Sequence, residues 1–123
     1  MTRQSLWFRG GGNPHRGWYK HIWCDSSWEL AVVLYCLDNG IEIVRCTEDF
    51  KYPFRNGFKY YRPDFIIDGV YHEIKGVMDN RSKTKIKNFP LPIKVIGKKE
   101  ITPYIEYAQM KYGVDYWKLL ENP

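Results

Sequence analysis

Asp64, Glu73 and Lys75 are the residues whose types and spacing could do chemistry together. Between the two acids lies Asp68-Gly69, a two-residue hairpin signal. If those residues form the loop, Ile67 pairs with Val70, Ile66 with Tyr71, Phe65 with His72 and Asp64 with Glu73, and Arg62 lies across from Lys75. Side chains alternate along a strand, so Arg62, Asp64, Ile66, Tyr71, Glu73 and Lys75 share one face. Pro63, Phe65, Ile67, Val70, His72 and Ile74 share the other, an apolar face apart from His72. Directly opposed carboxylates weaken a hairpin, by up to about 1 kcal/mol. A divalent cation between them would turn that repulsion into binding, and Mg²⁺ favours hard oxygen donors with water and phosphate oxygens beside them. An ammonium group two residues on could meet that water or phosphate, which suits metal-assisted hydrolysis. A competing account leaves an exposed hairpin on which Arg62 and Lys75 merely balance the acids. His72 reads as a buried or edge histidine with a hydrogen-bond partner.

These residues need elements to hold them. Residues 1–24 read as an irregular arm in which Arg9, His15, Arg16, Trp18, Tyr19, Lys20, His21 and Trp23 interleave bases and rings, and a single domain follows over 25–123. A helix is expected from about Ser26 to Asp38. Ser26 and Glu29 can form a capping box, Asn39-Gly40 ends the helix, and the run from Leu30 to Leu37 is apolar on every face, as a buried helix requires. Strands are expected at Ile41–Cys46, Phe50–Phe54, Phe58–Ile67 and Val70–Val77, with Arg55-Asn56-Gly57 as a further turn. A basic helix over Arg81–Asn88, a buried strand at Ile93–Ile96 and a closing helix from Pro103 to Tyr112 complete the order.

With 123 residues and 44% hydrophobic content the chain has room for one core. No apolar run approaches the roughly 18 residues of a membrane span, and no leader is visible, so a cytoplasmic location is expected. Cys24, Cys36 and Cys46 form no paired framework, and with His15 and His21 they match no zinc-site spacing. The net charge of +5 is unevenly spread. Residues 25–74 carry five bases and nine acids, whereas residues 75–99 carry eight bases and Asp79 alone. An acidic centre between basic arms suits a metal site in a groove for a polyanion; the plainer account is a set of solvated faces.

The segments Tyr61-Arg62-Pro63-Asp64-Phe65 and Glu73-Ile74-Lys75-Gly76, at this spacing and across this turn, resemble the signature of the PD-(D/E)XK nuclease superfamily. With Cys24-Asp25-Ser26-Ser27-Trp28-Glu29 at the start of the first helix, the chain is most similar to short phage-encoded and intron-associated endonucleases of that group, over roughly residues 15–117. The resemblance implies an α/β fold with a restriction-endonuclease-like αβββαβ core and a central mixed sheet. It implies an Mg²⁺- or Mn²⁺-dependent endonuclease hydrolysing DNA phosphodiesters, of phage or homing type. Asp64 and Glu73 would hold the metal with the carbonyl of Ile74, and Lys75 would orient the attacking water or stabilise the pentavalent phosphate. Glu29 would add a helix carboxylate, or would only cap the helix. DNA contacts are expected from Arg9, Arg16, Lys20, Arg62, Arg81, Lys83, Lys85 and Lys87. One site per domain means that cutting both strands takes a homodimer or two encounters. Alternatives are a junction resolvase or repair nickase, a DNA-binding protein on this fold without catalysis, and a structural subunit of a phage assembly.

Overall fold

Twelve consecutive residues, Ser27–Asp38, form the first helix among the described residues (α1), and their sequence explains both its ends and its burial. The Ser26 hydroxyl accepts from the Glu29 N–H at 3.2 Å, and Asn39 closes the far end. Leu30, Ala31, Val32, Val33, Leu34 and Cys36 are all buried. The computed structural model containing this helix describes residues 15–122. Arg9 lies outside them.

Among the described residues, eight strands and three helices follow the chain order β1 (Gly17–Tyr19), β2 (Ile22–Cys24), α1, β3 (Ile43–Arg45), β4 (Phe50–Phe54), β5 (Gly57–Tyr61), β6 (Phe65–Ile67), β7 (Val70–Ile74), α2 (Asn80–Lys87), β8 (Ile93–Ile96) and α3 (Lys98–Tyr112). A short 3₁₀ turn, Tyr116–Leu119, comes last. The fold is mixed α/β around a four-stranded sheet ordered β3-β6-β7-β8. Its first three strands run antiparallel, and β8 lies parallel to β7. One face of this sheet sends Ile43, Phe65, Ile67 and Ile96 into a core shared with α1 and with Ile101, Ile105 and Ala108 of α3. Tyr71 points to the other face, where its ring meets Phe50 and Phe89 at centroid distances of 5.5 and 5.2 Å. That aromatic cluster roots the separate β4–β5 hairpin on the sheet.

The Asp68-Gly69 hairpin forms as the sequence predicts, with Ile67↔Val70, Ile66↔Tyr71 and Phe65↔His72 paired and positive φ at both loop residues. Beyond Phe65 the expected register does not continue. The Asp64 N–H donates to the His72 carbonyl at 3.1 Å, so Asp64 and Phe65 both stand opposite His72, which is a β-bulge. The expected long strand Phe58–Ile67 is therefore broken at Arg62-Pro63-Asp64, where Pro63 offers no N–H to a ladder.

Two other expectations are corrected. Residues 17–24 are a hairpin rather than an irregular arm, turning at Lys20 (φ 56°). It is locked from outside, because Trp18 and Glu121 exchange backbone hydrogen bonds of 2.6 and 2.7 Å. Gly17 is needed there, since a Cβ would lie 2.6 Å from the Glu121 carbonyl oxygen. The closing helix starts at Lys98 instead of Pro103, because the Glu100 carboxylate accepts from the Gly97 N–H at 3.0 Å and supplies a cap. The cysteines are buried and free. No helix among the described residues is long and apolar enough to cross a membrane.

Candidate active site

The bulge at Asp64 changes what its side chain can do. With no β6 backbone left to pair, the Ile74 N–H donates to Asp64 Oδ2 at 2.7 Å, so the carboxylate takes the place of the missing strand. Glu73, the residue before Ile74 on β7, is buried, and the Tyr61 hydroxyl donates to its Oε1 at 2.8 Å. Glu29, on the first turn of α1, is also buried, and its Oε1 accepts from the Asp25 N–H at 2.7 Å. The cap and the site are therefore not alternatives: the helix start is what fixes Glu29 in place.

Arg45 occupies the centre of these acids, and the sequence reading passed over it. Its guanidinium donates to Glu29 Oε1 and to Asp25 Oδ2 (2.7 Å), and stands 3.9 Å from Asp64 Oδ1. It also lies 4.9 Å from the centre of the Phe65 ring. A signal was present: Arg45 has the same strand parity as buried Ile43, so it is a cation aimed inward. Asp25 and Tyr61 were likewise missed as neighbours of the site.

The three acids raise one another's proton affinity around a closed circuit. Burial, with the charge of Asp64, pushes Glu29 up to about 7 against the pull of Arg45. Burial, with the charge of Glu73, pushes Asp64 up to about 7 against the Ile74 N–H and Arg45. Burial, with Glu29, raises Glu73 against the Tyr61 hydroxyl, Lys85 and Lys75. Each acid has spent one oxygen. Asp64 Oδ1 and the Oε2 atoms of Glu29 and Glu73 accept no hydrogen bond from any described residue. Free hard oxygens in an acid-rich, partly dry setting are the donor chemistry of Mg²⁺ or Mn²⁺. In their present rotamers they do not converge, and among the described residues no three His, Cys, Asp or Glu side chains stand ready around one ion. The cation now inside the cluster is the guanidinium.

No protein-family model, curated protein or solved structure matches this chain. The site must be read from its own geometry.

The remaining predicted residues divide into groups. Lys75 and Lys85 both act on Glu73, and the Lys85 ammonium sits 5.0 Å from the centre of the Tyr61 ring. Arg16 stands at the rim, 3.5 Å from Asp25. Arg62 does not face Lys75 but forms a two-pronged pair with Asp49 at 2.9 and 3.0 Å, because the chain break at Pro63 turns it outward. Lys20, Arg81, Lys83 and Lys87 are exposed, Lys20 on the first hairpin and the others on α2. His72 is half-buried and bonds the Val70 carbonyl through Nδ1 at 2.7 Å, away from the acids.

A pH dependence follows. Two acids with raised folded-state pKa hold protons that the unfolded chain, at the ordinary values of 4.5 and 3.8, releases. Their contribution to stability is complete below those values and is lost as pH rises through about 7. In EDTA, the midpoint of thermal unfolding is expected to fall by several degrees (about 4 °C per kcal/mol for a chain this size) between pH 5 and pH 8. Adding Mg²⁺ should recover more of it at pH 8 than at pH 5. A midpoint that is flat or rises across this range would contradict the acid cluster.

Proposed function

We propose that this chain is a metal-dependent endonuclease that hydrolyses DNA phosphodiester bonds at the Asp64–Glu73–Lys75 site. The observation that carries the reading is the clustering of Glu29, Asp64 and Glu73 at the broken end of β6, each with one oxygen that accepts no hydrogen bond from a described residue, beside two lysines. Once the β4–β5 hairpin, which forms a separate sheet, is set aside, the order α1-β3-β6-β7-α2-β8 with β8 parallel to β7 supports the αβββαβ core that the PD-(D/E)XK resemblance implies.

Asp64 and Glu73 would hold Mg²⁺ or Mn²⁺, with the Ile74 carbonyl on the same strand edge as the N–H that positions Asp64. Bound there, the ion supplies charge neutralisation on the phosphate and a lower pKa for the attacking water. The protein's own part is orientation. The Ile74 N–H fixes the Asp64 carboxylate, the Tyr61 hydroxyl fixes that of Glu73, and α1 delivers Glu29 through its cap. Lys75 is placed to orient the water or to stabilise the phosphate as it becomes pentavalent. Arg45, bonded to Asp25 and Glu29 and close to Asp64, keeps the acids together in the absence of an ion.

Homing-type or phage-type cleavage of both strands would engage two copies of the chain, one site per strand. Purified protein incubated with supercoiled plasmid and Mg²⁺ should give nicked and linear DNA, and Glu73→Gln should give neither. Identical products from both proteins would refute the assignment and favour a DNA-binding protein without catalysis.

A further inference from the structure

The β4–β5 hairpin stands apart from the central sheet, and the catalytic reading uses only its last residue, Tyr61. Its alternation divides it cleanly. Tyr52 and Tyr61 are buried against the body of the protein, whereas Lys51, Pro53, Phe58 and Tyr60 face outward. Phe58 and Tyr60 are 64% and 65% exposed, a large apolar area for a two-stranded ribbon to leave in water. Lys51 lies over the Phe58 ring at 4.6 Å.

A cleft of about 500 Å³ opens between this hairpin and α2, lined by Phe54, Arg55, Lys59, Asn80, Arg81 and Thr84. Residues 50–61 and 80–88 together hold seven Lys and Arg and no acid. None of the seven forms an ion pair with a described residue, although Arg16, Arg45, Arg62, Lys111 and Lys118 all do. Several lie instead over rings, Arg55 and Lys59 each 5.2 Å from Phe54. Seven like charges with no ion pair, Lys85 alone facing Glu73 and Asp79 at longer range, suit a polyanion. On the same two elements that line the cleft, Lys85 covers Tyr61, and Tyr61 bonds Glu73.

We propose that the β4–β5 ribbon and α2 clamp the backbone of duplex DNA, with a phosphate in the cleft between Arg55 and Arg81 and the outward Phe58–Tyr60 face in the major groove. This rests on the reading of the chain as a DNA nuclease. The B-form major groove, about 12 Å wide, admits a two-stranded ribbon, and the deep, narrow groove of A-form RNA does not.

Binding of a short labelled duplex, followed by fluorescence anisotropy in EDTA so that no cutting intervenes, tests the clamp. Wild-type protein should bind with strong salt dependence. The double variant Arg55→Ala/Arg81→Ala should bind about 10–100-fold more weakly at moderate salt, with a log–log salt slope shallower by about 2. Phe58→Ala/Tyr60→Ala should weaken binding several-fold at unchanged slope. Lys111→Ala/Lys118→Ala, which removes as much charge elsewhere, should change little. If wild type binds and the Arg55/Arg81 variant matches it in affinity and slope, the clamp is wrong and the nuclease reading stands. Equal affinity for an RNA duplex of the same sequence would overturn entry into the groove. If wild type binds no duplex at all, both readings fall.

Discussion

Asp64→Asn is expected to lower the rate of Mg²⁺-dependent DNA cleavage by about 10²–10⁴-fold while making the metal-free protein more stable at pH 8. Asparagine can still accept from the Ile74 N–H, so the local fold is kept. What disappears is one negative charge from a buried cluster in which burial and Glu73 already push the Asp64 carboxyl up to about 7. Losing an ion ligand removes several kcal/mol of transition-state stabilisation, and each 1.36 kcal/mol is tenfold in rate. Losing the repulsion is worth on the order of 1 kcal/mol or more to the fold at pH 8, where the wild-type group is charged. Cleavage assays and thermal unfolding in EDTA read the two effects separately. Lower stability with intact cleavage would mean that Asp64 is a structural brace and no ligand.

Arg45→Met should produce the largest loss of stability of any single change in the site, about 3–5 kcal/mol at pH 8. Methionine fills a similar volume against Phe65 but leaves Glu29, Asp25 and Asp64 facing one another without their cation. Breaking a buried pair by removing one partner is costly because the other charge stays behind. At pH 5 the loss should shrink, since Glu29 and Asp64 can then carry protons. Chemical denaturation at the two pH values checks this. An equal loss at both would mean that Arg45 matters for packing and not for charge.

Much of the framework was readable from local signals. The cap at Ser26 and the Asp68-Gly69 turn with its first three residue pairs rest on interactions within a few residues of the signal, whereas the strand Ile93–Ile96, which pairs with Tyr71–Ile74, was marked by its apolar run alone. The site was legible as a set of residue types brought close by that turn. Its geometry was not. The bulge at Asp64 arises because β5 belongs to another sheet, so the chain must break at Pro63, and no local pattern announces which sheet a strand will join. Arg62 was misplaced for the same reason, pairing with Asp49 once the break turned it outward. Arg45 was overlooked because its partners Asp25, Glu29 and Asp64 lie about as far along the chain as the strands and helix they come from. The hairpin at residues 17–24 was read as irregular because half of its support comes from Glu121.

That last contact has a bearing on how the polypeptide acquires its shape during synthesis. Trp18 is made long before Glu121, so the strand carrying Trp18 has to wait, unzipped on one edge, until Glu121 has left the ribosome. The helix and the sheet bearing the acids lie between the two and can assemble before then. The clasp that holds the first hairpin therefore closes after the framework it fastens.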